Sequence, residues 1–267
     1  MTQLSDQAQR TSARRGIEVR GVTKTYGKTA VVKDVSCDIS AGQITSIIGP
    51  NGAGKSTLLS MISRLLPLDA GRVSVDGLDV AGTPSKILAR KLAILRQENQ
   101  FQVRLTVRDL VGFGRFPYSQ GRPGPDDQEK IDEAIAFLDL QDLEHRFLDQ
   151  LSGGQRQRAY VAMVLCQDTD YILLDEPLNN LDMKHAVNMM KLLRRAAETL
   201  GKTVVLVIHD INFAASYSDS IIAMRDGEIV HQGPTAELMT EAVLREVFDL
   251  DIRIIDVDGV PLGVYFS

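Results

Sequence analysis

Two short glycine-bearing segments carry the residue types that hold phosphate. The first, Gly49-Pro50-Asn51-Gly52-Ala53-Gly54-Lys55-Ser56-Thr57, fits the spacing GxxxxGK[ST]. Glycines at these places let backbone N–H groups turn inward around a β-phosphate, and a following helix adds the positive end of its dipole. Lys55 brings a point charge to the β- and γ-phosphates, and the Ser56 hydroxyl is of the kind that ligates Mg²⁺. The second segment, LSGGQ at residues 151–155, precedes a stretch expected to be helical from Arg156 to Met163. Ser152, Gly153 and Gly154 would lie at the N-terminus of that helix, where free N–H groups, a hydroxyl and the dipole suit a γ-phosphate. Alone, LSGGQ would be a helix cap after a glycine turn. Beside a phosphate loop, LSGGQ reads as a second phosphate-binding site.

Two carboxylates and a histidine extend the set. Asp175 follows the apolar run Tyr171-Ile172-Leu173-Leu174, which delivers its carboxylate at a strand end, where it can hold a water of the Mg²⁺ shell. Glu176 points elsewhere and could polarise the attacking water. Such a pair can equally cap a helix; the phosphate loop favours the catalytic reading. His209 ends a second apolar run, Thr203-Val204-Val205-Leu206-Val207-Ile208. A lone histidine after a strand is more often structural, but beside a nucleotide it can contact the γ-phosphate and fix the water. His145, His185 and His231 lie on polar segments and read as surface residues.

The elements that must position these groups follow from pattern. Gln43-Ile44-Thr45-Ser46-Ile47-Ile48 is a β-branched apolar run leading into the phosphate loop and then a helical stretch from Ser56, the strand–loop–helix setting such a loop requires. Three runs apolar on both faces predict central parallel strands, with the polar residues at their carboxyl ends. Alternation over 17–40 predicts antiparallel strands around a turn at Tyr26-Gly27-Lys28. Between 98 and 150 the pattern turns helical, with an amphipathic stretch at 127–140 after a Gly/Pro-rich segment at 116–125. The tail, 252–257 then Asp258-Gly259 then 260–266, predicts a β-hairpin. The fold class is α/β. The expected organisation is a flexible extension at 1–15, an ATPase domain at 16–240 with a helical insertion at about 98–160, and a helix and hairpin tail at 241–267.

With 267 residues, 44% of them hydrophobic, the chain can bury one α/β core with an insertion. A net charge of -5, with Lys and Arg spread along the chain, argues against a nucleic-acid partner. Cys37 and Cys166 have no metal-ligand spacing and read as reduced core thiols of a cytosolic protein. The polar N-terminus has no apolar segment for secretion, and no apolar run approaches the ~20 residues that span a bilayer. Any membrane role is expected from the cytoplasmic side, through a partner.

Taken in order, the motifs resemble those of the ATP-binding-cassette (ABC) ATPases over residues 16 to about 240. The resemblance implies a RecA-like P-loop NTPase core with an N-terminal antiparallel β subdomain and an inserted helical subdomain. It aligns Tyr26 with the aromatic residue that stacks on adenine, and residues 49–57 with the Walker A loop. Gln97 falls on the Q-loop glutamine, a Mg²⁺ ligand and γ-phosphate sensor. Residues 151–155 match the family signature, Asp175 and Glu176 the Walker B pair, Leu181-Asp182 the D-loop and His209 the switch histidine. Implied with these are ATP and Mg²⁺, the metal held by Ser56, Gln97 and Asp175, and a catalytic set of Lys55, Gln97, Glu176 and His209. Two copies would pack head to tail as a homodimer. Ser152, Gly153, Gly154, Gln155 and Asp182 of one copy would then serve the ATP lying on the other's phosphate loop.

Three stretches resemble more narrowly the ATPase subunits of bacterial ferric-siderophore importers, closest to the petrobactin and catecholate-type branch. They are residues 110–118 (LVGFGRFPY), 176–185 (EPLNNLDMKH) and 263–267 (GVYFS). Within the second, Leu178-Asn179-Asn180 departs from the small Thr/Ser-rich residues commoner there. This resemblance implies an energy-coupling subunit at the cytoplasmic face of the bacterial plasma (inner) membrane. It would drive transmembrane permease subunits and depend indirectly on an extracytoplasmic siderophore-binding protein. The alternatives are a soluble ABC ATPase remodelling a macromolecule, as in iron-sulfur cluster assembly, and an importer ATPase for vitamin B12 or haem. Phe113, Phe116 and Tyr118 belong either to the core of the helical region or to a groove for the permease's coupling helix.

Overall fold

The structure is a computed structural model and describes residues 15–97 and 103–265. Residues 1–14 of the expected extension at 1–15, the start of the helical stretch at 98–102 and the last two residues of the tail lie outside the described residues.

Alternation at the start of the chain produces two antiparallel strands, β1 (Ile17–Tyr26) and β2 (Thr29–Ile39), paired from Ile17 with Ile39 to Tyr26 with Thr29. The strand β3 (Ile44–Ile48) is buried at every position and leads into helix α1 (Lys55–Ile62). β4 (Ala70–Val75) and β5 (Leu78–Asp79) complete a four-stranded sheet in the order β2-β1-β4-β5. A short helix α2 (Ser85–Leu88) precedes β6 (Leu92–Leu95). Then come the helices α3 (Val107–Phe113), α4 (Phe116–Ser119), α5 (Pro125–Phe137) and α6 (Gly153–Cys166). The chain returns through β7 (Tyr171–Asp175), α7 (Met183–Leu200), β8 (Thr203–Val207), α8 (Ile211–Tyr217), β9 (Ser220–Arg225) and β10 (Glu228–Pro234). Helices α9 (Thr235–Leu238) and α10 (Glu241–Phe248) and the strands β11 (Arg253–Val257) and β12 (Val260–Val264) end it.

The larger sheet runs β10-β9-β3-β8-β7-β6, parallel except for the edge strand β10. Side chains alternate across it with period two and separate two cores. Ile172, Leu174, Val204 and Leu206 face a core built with α3, α5, α6 and α7, while Tyr171, Leu173, Val205 and Val207 face α1 and the antiparallel sheet. Each such side chain, fully withdrawn from water, contributes about 1.5–3 kcal/mol. The few polar side chains buried in the sheet, Thr45, Ser46 and Thr203, each have their hydroxyl hydrogen-bonded. A third core joins Ile48, α8, α9 and α10 to Ile252.

Several boundaries differ from expectation for local reasons. Helix α5 starts at Pro125 rather than 127, because Pro suits the first helical turn and Gly124 N–H donates to Asp127 Oδ2 at 3.1 Å. The Gly/Pro-rich segment holds the one-turn helix α4, ended by Gln120 in the left-handed region. Helix α6 continues to Cys166, beyond the expected limit of the insertion near 160. In the tail, Asp258 and Gly259 both have positive φ, as a two-residue hairpin turn requires. Cys37 and Cys166 are buried and unpaired, and burial pushes both thiols up to about 12. Among the described residues, no helix is long and apolar enough to cross a membrane.

Candidate functional site

The phosphate loop leaves β3 at Gly49 and enters α1 at Lys55. Gly49 has φ 144° and Gly54 φ 95°, and a Cβ at these positions would stand 2.0 Å from Met224 O and 2.6 Å from Val31 O. Backbone from neighbouring strands therefore closes over the loop so tightly that only glycine fits. Helix α1 has no side-chain cap and no acidic residue in its first turn, so its N–H groups and dipole remain for an anion. Lys55, 5% exposed, donates to Gly49 O and Pro50 O at 2.9 Å each. Burial holds its amine below the usual lysine range, against the pull of Glu176 and Asp175.

Asp175, the last residue of β7, accepts a hydrogen bond from Ser56 Oγ at 2.7 Å. Burial raises its pKa, opposed by the Ser56 hydrogen bond. The next residue, Glu176, has φ 51°. This left-handed conformation, uncommon outside glycine, turns its carboxylate away from that of Asp175. Glu176 Oε1 lies 2.6 Å from His209 Nε2, and Gln97 Nε2 donates to Oε2 at 2.7 Å. Asn179 Nδ2 also donates to Oε2. His209 follows β8, and Asp210 caps α8 by accepting from Asn212 N–H at 2.8 Å.

A cleft of about 430 Å³ is lined by Tyr26, Ser56, Thr57, Arg96, Gln97 and Asp175 among others, and a second of about 300 Å³ by Glu176, Asn179 and His209 among others. Tyr26, at the end of β1, is 52% exposed. Asn51 and Gly52 are exposed on the loop, Pro50 is half-buried and Ala53 buried. No residue of 151–155 lines the first of these clefts. The signature segment instead starts α6, where Ser152 Oγ accepts from Gln155 N–H at 3.3 Å and Gln155 Oε1 accepts from Ser152 N–H at 3.0 Å. Ser152 and Gly153 are exposed. Gly154 is buried, and a Cβ there would stand 2.5 Å from His185 Cδ2. His185 is in turn held by Asp182, whose Oδ1 accepts from His185 N–H at 2.9 Å and lies 2.7 Å from Nδ1. The His185 N–H, then the ring, hold Asp182 below the usual carboxylate range.

His185, expected to be a surface residue, is therefore half-buried and sets the position of the signature glycine. His231 is also half-buried, 2.8 Å from Glu246 Oε2, and His145 is exposed. The sequence does not single out Arg96, and it offers Asn179 only as a departure from the small residues commoner there and His185 only as a surface residue. The only signals that could have found them were their nearness to Gln97, Glu176 and Asp182, which does not say where a side chain returns. Phe113 and Phe116 are 46% and 60% exposed and line a groove of about 460 Å³ with Leu105, Arg108 and Ile131. Tyr118 lies apart, its ring under the Arg115 and Arg90 guanidinium groups at 3.9 and 4.7 Å.

The donors present fit magnesium. A hydroxyl and a carboxylate already stand in hydrogen-bond contact, and both are hard oxygen ligands. Among the described residues, no cluster of three or more His, Cys, Asp or Glu could hold a metal ion alone. Mg²⁺ is a cation that takes one or two carboxylates and completes its shell with other oxygens, phosphates and water.

The model of the ABC transporter family matches residues 32–179. The petrobactin import ATP-binding protein YclP of Bacillus subtilis (strain 168) is 56% identical over 251 residues, covering 94% of this chain and 100% of the relative. FatE of Bacillus anthracis, also a petrobactin import ATP-binding protein, is 55% identical over 249 residues, 93% of this chain and 100% of the relative. Among solved structures, a dimeric ATP-binding cassette in a post-hydrolysis state, bound to ADP and Pi, aligns with a TM-score of 0.74 at 32% identity. It covers 82% of this chain and 98% of its own. The family match spans more than half of the chain and the relatives nearly all of it, so the chain belongs to the ABC transporter family, as one of its ATP-hydrolysing cassettes.

Proposed function

We propose that this chain is the ATPase subunit of an importer for ferric siderophores, acting as a head-to-tail homodimer on the cytoplasmic face of the membrane beneath a separate permease. The observation that carries the hydrolytic reading is the convergence of Gln97 and His209 on the two oxygens of Glu176, beside the Ser56–Asp175 pair. The cargo reading rests on the petrobactin import named for the relatives.

In this reading the exposed Tyr26 ring stacks on adenine, and the N–H groups of residues 49–57 with Lys55 hold the phosphates. Ser56, Asp175 and Gln97 would hold Mg²⁺, which would supply positive charge against the phosphates. Glu176 accepts a hydrogen bond from the attacking water and orients it for in-line attack; His209 donates to the γ-phosphate. His209 must leave Glu176 to do so, and Gln97, which now meets Glu176 through Nε2, turns its Oε1 to the metal; their present contacts are a resting arrangement. Ser152, Gly153, Gly154 and Gln155 of a second copy close the site, in keeping with the exposure of Ser152 and Gly153 at the head of their own α6. Residues 103–166 act as a helical lobe, and its groove at Phe113 and Phe116 receives a helix of the permease.

Deleting the chain in its host and restoring either the wild type or Lys55→Ala tests the function. Uptake of radioactive iron as ferric petrobactin should return with the wild type and not with Lys55→Ala. Uptake that survives the deletion would remove the cargo assignment.

A further inference from the structure

The turn after Glu176 departs from the small residues common at this place, and its three residues have separate physical reasons. Leu178, with Leu181, packs against the core shared by the sheet and the helices, which pins the turn. Asn180 takes φ 61°, a conformation that Asn adopts more readily than most residues. Asn179 is returned over Glu176 by the turn itself, its N–H donating to Glu176 O at 3.2 Å while its side-chain amide donates to Oε2.

The three donors to Glu176 differ in attachment. Gln97 follows β6 and His209 follows β8, and in hydrolysis both have other partners. Asn179 shares a turn with Glu176 and moves with it. Once Gln97 and His209 turn to the nucleotide, a carboxylate with no remaining partner would rotate about its side-chain bonds and lose its aim. We propose that Asn179 is a positioning residue for hydrolysis: its amide keeps Oε2 of Glu176 engaged, so that Oε1, released by His209, faces the attacking water. This rests on the reading of Glu176 as the group that orients that water.

The test compares kcat and KM for ATP in full-length variants. Asn179→Ala should lower kcat about tenfold or more, since misaiming a reacting group is costly, with KM for ATP unchanged within about twofold. Asn179→Asp, of the same shape but placing an acceptor against Oε2, should lose at least as much. Asn179→Ser retains a short donor and should recover part of the rate. In a Glu176→Ala background, Asn179→Ala should cost nothing further, because the two act through one contact. Wild-type kcat in Asn179→Ala would overturn the proposal, as would the same proportional loss in both backgrounds. Loss of ATP binding in the Ala and Ser variants alike would also overturn it, by marking Asn179 as a structural residue of the turn. Wild-type hydrolysis by Glu176→Ala alone would instead remove the reading of Glu176, and the positioning role with it.

Discussion

At Asp175, function and stability oppose each other. Burial raises its pKa, so the folded chain holds that proton more readily than the unfolded one. Such a group adds stability below the unfolded pKa, and this is lost as pH rises through the folded value. At neutral pH an ionised, buried Asp175 therefore weakens the nucleotide-free fold. Asp175→Asn should raise Tm at about pH 8, with the gain shrinking toward about pH 4 as the wild-type carboxyl takes its proton. The same change should abolish Mg²⁺-dependent hydrolysis. Thermal melts at the two pH values check this; a variant melting below wild type at the higher pH would contradict it. Most of the site was legible in sequence at this scale, because phosphate binding demands Gly49, Gly54, Lys55 and Ser56 at fixed spacing and a carboxylate at a strand end. Asn179 and His185 were not, since their roles depend on which way a turn brings the side chain back.

Between elements, α6 and α7 meet near their N-termini, where Gly154 packs against the His185 ring. Asp182 holds that ring, so a methyl group at 154 cannot displace it freely. Gly154→Ala should destabilise the chain by about 1–3 kcal/mol, more than the ~1 kcal/mol that alanine gains in helix propensity. In a His185→Ala background the clash is gone, and the same change should become stabilising. Chemical denaturation of the four chains reads both signs; Gly154→Ala matching wild type would show that the ring moves aside. The strands β3, β7 and β8 were readable because they are apolar on both faces and so belong in the middle of a parallel sheet. The short α4 is hidden by its Gly/Pro-rich surroundings, and α5 takes its first residue, Pro125, from that same segment. Such boundaries are decided by caps and tertiary contacts that periodicity does not contain.

For the whole molecule, the proposed unit of function is a pair of chains. Ser56 of the phosphate loop, Asp175 and Gln97 line one cleft, with Glu176 and His209 joined to it through the Gln97 contact, while Ser152 and Gly153 are exposed at the head of α6. Charged replacement of Gly153 fits its own chain, because a Cβ there meets only Asn180 O at an ordinary 3.5 Å. Gly153→Asp should therefore fold and bind ATP, yet repel the γ-phosphate that a second copy presents, and hydrolyse almost nothing. Lys55→Ala should be equally inactive for the opposite reason, with its signature intact and its phosphate loop disabled. Mixing the two variants tests the central claim most directly. In a mixed head-to-tail pair, the intact loop of one chain faces the intact signature of the other. Hydrolysis should then rise to about a quarter of the wild-type rate, since half of the pairs are mixed and each has one complete site of two. A mixture no more active than either variant alone would contradict the account.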